Sequence, residues 1–130
     1  MDNSELLKTA DGATLAFLGD AVYELWVRTR LLQSGLCGSK NLNDASHSFV
    51  TAKAQAAAFF RIEHLLTPEE TEIYKRGRNS PHLSAPRTAT GAEYRTATGF
   101  EALCAALHLC GQNDRIDELL TAAFAEDKQA

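Results

Sequence analysis

The pattern of hydrophobic and polar positions along the chain reads as helices throughout. Its centre is residues 15–27, helical in character and apolar on almost every side. A helix of that kind belongs in the middle of a fold or at a contact between subunits. Asp11-Gly12 offers it a start, and Ser34-Gly35 ends it after about Gln33. A short turn or helix over residues 4–10 leads in, and residues 37–40 connect onward. Residues 41–64 read as one long alanine-rich helix carrying Leu42, Phe49, Val50, Phe59, Phe60 and Ile62. Thr67-Pro68-Glu69-Glu70 combines a capping threonine, a proline in the first turn and a glutamate three residues after the cap. It predicts a helix reaching about Arg78. Residues 79–92 hold Pro81, Pro86 and Gly91 and read as a mobile loop. A helix over about 93–110 stops at Gly111. Asn113 caps a last one, in which Ile116, Leu119, Leu120 and Phe124 follow helical spacing. With no internal repeat, low-complexity tract or second domain, the expectation is one all-α domain over residues 1–130.

Composition narrows the class. One hundred and thirty residues suffice for a domain with a real core. The 45% hydrophobic and 23% charged content is that of a soluble globular protein. Asp20 and Glu24 interrupt the best candidate for a membrane span, and the acidic start from Met1 to Glu5 lacks the plan of a signal peptide. A cytoplasmic protein with no membrane partner is expected. Cys37, Cys104 and Cys110 are an odd number without framework spacing, so free thiols are expected. The net charge of −4 argues at first against a nucleic-acid partner. Its distribution reverses that impression, because Lys75, Arg76, Arg78, Arg87 and Arg95 face a single acid, Glu93, within residues 75–95. Phosphate recognition depends on such a local patch rather than on the total; a solvated basic loop is the alternative.

The central helix carries the first candidate chemistry. Asp20 and Glu24 are four residues apart and so share one helical face, where like charges repel and burial without a partner is costly. A hard divalent cation would relieve both problems. The second stretch, Tyr94 to Leu103, sets Glu101 among Phe100, Ala102, Leu103, Ala105 and Ala106. A plainer assignment places Glu101 on an exposed face, paired with Arg95 or a loop arginine. Three acids in two apolar helices nevertheless suggest a shared oxygen-ligand site. Magnesium is commonly held by one or two carboxylates, with water and substrate phosphate completing its shell.

These residues carry a family resemblance. Phe17-Leu18-Gly19-Asp20-Ala21-Val22 resembles the core of the ribonuclease III signature, and Phe100-Glu101-Ala102-Leu103 resembles that family's second acidic motif. The nearer likeness is to its Mini-ribonuclease III branch, which has the catalytic domain without a double-stranded-RNA-binding domain. The stretches 15–24, 48–56, 75–79 and 94–103 resemble that branch's motifs in order, across residues 13–110. The resemblance implies an all-helical homodimer with the signature helices near the twofold axis. It implies metal-dependent cleavage of double-stranded RNA that leaves 5′-phosphate and 3′-hydroxyl ends. It further implies maturation of the large-subunit (23S) ribosomal RNA precursor, with a large-subunit ribosomal protein assisting in some bacteria. Asp20 carries over as the essential metal-binding aspartate and Glu101 as the metal-ligand glutamate. The full ribonuclease III pattern has two further acids, where this chain has Ala16 and Thr98, and the Mini branch shares that reduced set. Glu24 stands as a replacement carboxylate or as the partner of an arginine or backbone group; both remain open.

The expected mechanism follows from charge. Asp20 and Glu101 hold Mg²⁺, with Mn²⁺ as the alternative, and the nucleophile is metal-bound water. Lys75, Arg76, Arg78, Asn79, Arg87 and Arg95 are the expected RNA contacts, selecting duplex shape more than sequence. His108 with Cys104 and Cys110 lacks zinc-site spacing and reads as core. His47, His64 and His82 are scattered, with His47 structural rather than a base. Tyr23 and Trp26 fill the core or a dimer contact, and Ser46 and Ser48 have no base partner. Two other readings remain: an inactive RNA-binding module, and a helical protein-interaction adaptor.

Overall fold

Side-chain caps set the helix boundaries in the computed structural model, which describes residues 1–81 and 85–125. Asp2 caps α1 (Asn3–Thr9), Asp11 caps α2 (Gly12–Gln33) and Thr51 caps α4 (Ala52–Ile62), each accepting from a backbone N–H three residues on. Full capping boxes start α5 (Pro68–Arg78), from Thr67 and Glu70, and α6 (Gly91–Leu109), from Thr90 and Glu93. The remaining elements are α3 (Ser39–Val50), a 3₁₀ turn over Glu63–Leu65 and α7 (Asn113–Ala123). No strand occurs among the described residues, so the chain is all-α as expected.

Three boundaries depart from the sequence reading. The single helix expected over 41–64 is two helices, because Thr51 adopts extended geometry (φ −66°, ψ 154°) and caps the second. Its alanine-rich surroundings concealed a capping threonine. Helix α6 begins two residues early, since Glu93 is the third residue of the helix, closing a capping box with Thr90, rather than the first. Asn113 caps nothing: Gln112 occupies the cap position, without a side-chain hydrogen bond. Gly111 does end α6, at φ 72°.

Helix α6 is the hub. Every residue from Thr96 to Leu107 is buried except Glu101, and the helix packs against α2, α5 and α4. Phe100 meets Tyr23 of α2 and Phe59 of α4 edge-on, at centroid separations of 5.8 and 5.6 Å. Phe59 in turn stacks on Tyr74 of α5 at 3.9 Å. Aromatic geometry of this sort adds to the burial of the rings themselves. Trp26 stacks on Phe124 and donates to Asp117 Oδ1 at 2.9 Å, so it docks α7 on α2. Arg115 fixes the far end, forking onto both oxygens of Glu70 at 2.8 and 2.9 Å. That pairing holds the Glu70 carboxyl below the usual range.

The central helix is not covered all round. Phe17, Leu25 and Leu32 are 85%, 68% and 61% exposed, along one side of α2. No helix among the described residues is long and apolar enough to cross a membrane.

Candidate active site

Gly19 decides how close α2 and α6 come. A Cβ there would run into the carbonyl oxygen of Glu101, so the two backbones touch at that level and only glycine permits it. The next residue along α2 is Asp20. Close approach at Gly19 therefore brings Asp20 and Glu101 together from separate helices, and both line one open cavity of about 340 Å³. Ala16 and Thr98 line the same cavity. Those are the two positions at which the full ribonuclease III pattern has acids. The Thr98 hydroxyl is committed to the Tyr94 carbonyl at 2.9 Å, so it offers the cavity no free donor.

Asp20 is exposed, whereas Glu101 is only partly accessible. Burial is the main cause that pushes the Glu101 carboxyl up to about 8, with the Asp20 charge and a hydrogen bond to Asp20 next and Glu24 adding further repulsion. The hydrogen bond from Gln55 opposes these. Glu101 thus does not pair with Arg95 in the way the plainer assignment had it. Glu24 lies outside the cavity lining and takes Arg28 at 3.8 Å. Of its two open roles, the arginine partner is present, and its charge still reaches Glu101.

A divalent cation fits this donor set. Two carboxylates crowd together, one of them half buried and held toward its neutral form, and a hard cation between them would remove both penalties. No three His, Cys, Asp or Glu side chains cluster as a closed metal site among the described residues. Open coordination of that kind suits magnesium completed by water and phosphate.

Gln55 falls within the 48–56 stretch, and the sequence alone assigns it no role. It is 2% exposed, and its Nε2 donates to the Val50 carbonyl at 3.1 Å and to Glu101 Oε2 at 3.4 Å. Its Oε1 is buried without a partner, a cost of about 1–3 kcal/mol. A glutamine within an alanine-rich, otherwise apolar helical face was the only available signal.

The basic residues do not gather in the cavity. Lys75, Arg87 and Arg95 are exposed. Arg76 is also exposed but holds the end of α1, donating to the carbonyls of Leu7 at 2.7 Å and Ala10 at 3.4 Å. Arg78 lies over the Tyr74 ring at 5.5 Å and donates to Asn79 Oδ1 at 3.1 Å. Tyr23 is core, its hydroxyl donating to the Phe49 carbonyl at 2.7 Å. Cys104 is buried while Cys110 and His108 are exposed, so only the first fits the core assignment. His47 is exposed, not packed. Ser46 and Ser48 bond carbonyls of their own helix. His82 lies outside the described residues.

An all-helical domain with an acid from each of two touching helices in one open cleft defines a recognisable class. Residues 13–112 match the Ribonuclease III domain. The chain is 46% identical to the Mini-ribonuclease 3 of Symbiobacterium thermophilum, over 85% of each chain. It is 43% identical to that of Brevibacillus brevis, over 85% of this chain and 83% of the relative. A crystal structure of a Fusobacterium nucleatum protein superposes with a TM-score of 0.80 at 35% identity, covering 87% of this chain and 92% of that one. The chain belongs to the ribonuclease III family of endoribonucleases, in its short Mini-ribonuclease III branch.

Proposed function

We propose that this chain, acting as one catalytic domain, is a divalent-metal-dependent endoribonuclease of the cytoplasm. It cleaves double-stranded RNA and matures the large-subunit (23S) ribosomal RNA precursor. The observation that carries the reading is the convergence of Asp20 and Glu101 on one open cavity. The two carboxylates hold Mg²⁺, or Mn²⁺ in its place. When bound, the ion supplies a Lewis acid at the scissile phosphate and water acidified for attack. Asp20, exposed, offers oxygen ligands from α2, and Glu101 gives up its proton to offer them from α6. Hydrolysis leaves a 5′-phosphate and a 3′-hydroxyl. Lys75, Arg76, Arg78, Asn79, Arg87 and Arg95 grip backbone phosphates at the end of α5, in the following loop and on α6.

Cutting both strands calls for two sites, and the exposed side of α2 supports a homodimer. Phe17, Leu25 and Leu32 protrude there. An apolar hollow of about 440 Å³ lies alongside, lined by Leu18, Val22, Leu25, Trp26 and Ile116 among others. A patch that carries both protrusion and hollow suits a twofold contact with a second copy.

The test is incubation of precursor ribosomal RNA with Mg²⁺ and either wild type or Asp20→Asn. Cleavage by wild type alone, with RNA retained by both, is expected. Retention without cleavage by wild type would instead favour an inactive binding module. Absence of retention at low salt would favour a protein adaptor.

A further inference from the structure

The break between α3 and α4 is tied to both acid-bearing helices. Thr51 turns the chain there in extended geometry. The Tyr23 hydroxyl of α2 takes the Phe49 carbonyl just before it. Gln55 takes the Val50 carbonyl and, with the same nitrogen, Glu101 of α6. Two acceptors on one nitrogen fix which way the amide faces, and they leave Oε1 sealed from water without a partner. The other buried side chains of α4 are apolar: Ala56, Ala58, Phe59 and Ile62. Methionine would fill the place of Gln55 with no orphaned oxygen. A buried polar group that breaks the rule of its own helix, yet touches an acid in the open cavity, is placed for the site rather than for the core.

We propose that Gln55 is a positioning residue which holds Glu101 Oε2 so that the Glu101 carboxylate meets Asp20 in the geometry a divalent cation requires. The inference rests on the reading of Asp20 and Glu101 as metal ligands. Gln55 acts on Glu101 and touches neither RNA nor the reacting phosphate. Its loss weakens cation binding and leaves duplex binding and folding unchanged. Partners that orient a metal ligand are worth about 10- to 100-fold in metal affinity.

The experiment titrates Mn²⁺ into the metal-free protein by calorimetry for wild type, Gln55→Met and Asp20→Asn. Melting temperature and retention on duplex RNA without added metal are measured on the same samples. The expected result is Mn²⁺ affinity lowered by about tenfold in Gln55→Met, with RNA retention unchanged and a melting temperature equal to or above wild type. Affinity within twofold of wild type, while Asp20→Asn has lost the site, would overturn the role of Gln55 and leave the proposed function standing. Mn²⁺ affinity, RNA retention and melting temperature falling together would also overturn it, since the residue would then be structural. Equal Mn²⁺ binding by wild type and Asp20→Asn would sink the metal-ligand reading and this inference with it. If Gln55→Met does not fold, the side-chain amide signal of Gln55 in ¹⁵N-labelled wild type decides. It is expected to shift as Mg²⁺ is added, and an unmoved signal refutes the proposal.

Discussion

The acids and the cations of this protein are held in opposite ways. Asp20 and Glu101 sit on two helices whose backbones touch, within a framework of buried aromatic rings. Of the basic residues, Lys75, Arg87 and Arg95 are exposed, at the end of α5, in the loop beyond it and on α6. Arg76 is tied to α1 and Arg78 lies over Tyr74. Chemistry that needs two carboxylates at one distance belongs on rigid elements. Recognition of a duplex by its regular phosphates tolerates separate, solvated cations. The comparison predicts that damage at the first region abolishes catalysis and damage at the second weakens only grip.

Asp20→Asn should show the largest effect, a loss of turnover on the order of 10³-fold, with duplex affinity kept. Single-turnover cleavage alongside filter binding checks both halves. Gly19→Ala should come next. Its Cβ must push α2 off the Glu101 backbone, lowering stability by ~2–4 kcal/mol in urea unfolding and taking cleavage with it.

The raised Glu101 carboxyl gives a pH dependence of definite sign. It is protonated in the fold up to about 8 but loses its proton near 4.5 when unfolded. Its contribution to stability is thus full below pH ~4.5 and declines as pH rises to ~8. Glu101→Gln has no proton to lose, so it should abolish cleavage and yet stabilise the metal-free protein at pH 8.5, by ~2–4 kcal/mol. Chemical unfolding at pH 5 and pH 8.5 measures the difference. Cation binding must also expel that proton, so Mg²⁺ affinity of the wild type should fall toward tenfold per pH unit below 8.

The basic region should respond more gently. Lys75→Ala and Arg87→Ala should each lower duplex affinity a few-fold and reduce the salt slope by about one, with turnover at saturating RNA unchanged. Arg76→Ala should differ from them, because its guanidinium holds the carbonyls of Leu7 and Ala10. Its main effect should be on the protection of α1 from hydrogen exchange. Glu24→Gln should do least, since Glu24 does not line the cavity and its charge is the smallest of the causes acting on Glu101.

The same contrast governs what could be read without coordinates. The long apolar run of α2 and the proline-bearing cap of α5 are local signals, and both helices lie where those signals put them. Asp20 and Glu101 stood out because acids are rare in apolar helices. The break at Thr51 was lost because a capping threonine and a mid-helix threonine look alike among alanines. Gln55 was lost because its meaning is tertiary: only packing α4 against α6 shows that its amide reaches Glu101. Arg76 counts with the other cations by charge, although its guanidinium is tied to the carbonyls at the end of α1.

The central claim is that Asp20 and Glu101 jointly bind one cation, and diffraction from crystals soaked in Mn²⁺ tests it most directly. The account predicts an anomalous peak between the two side chains, about 2.0–2.2 Å from an oxygen of each. Mn²⁺ bound by one carboxylate and not the other, or an ordered ion only elsewhere on the surface, would contradict it.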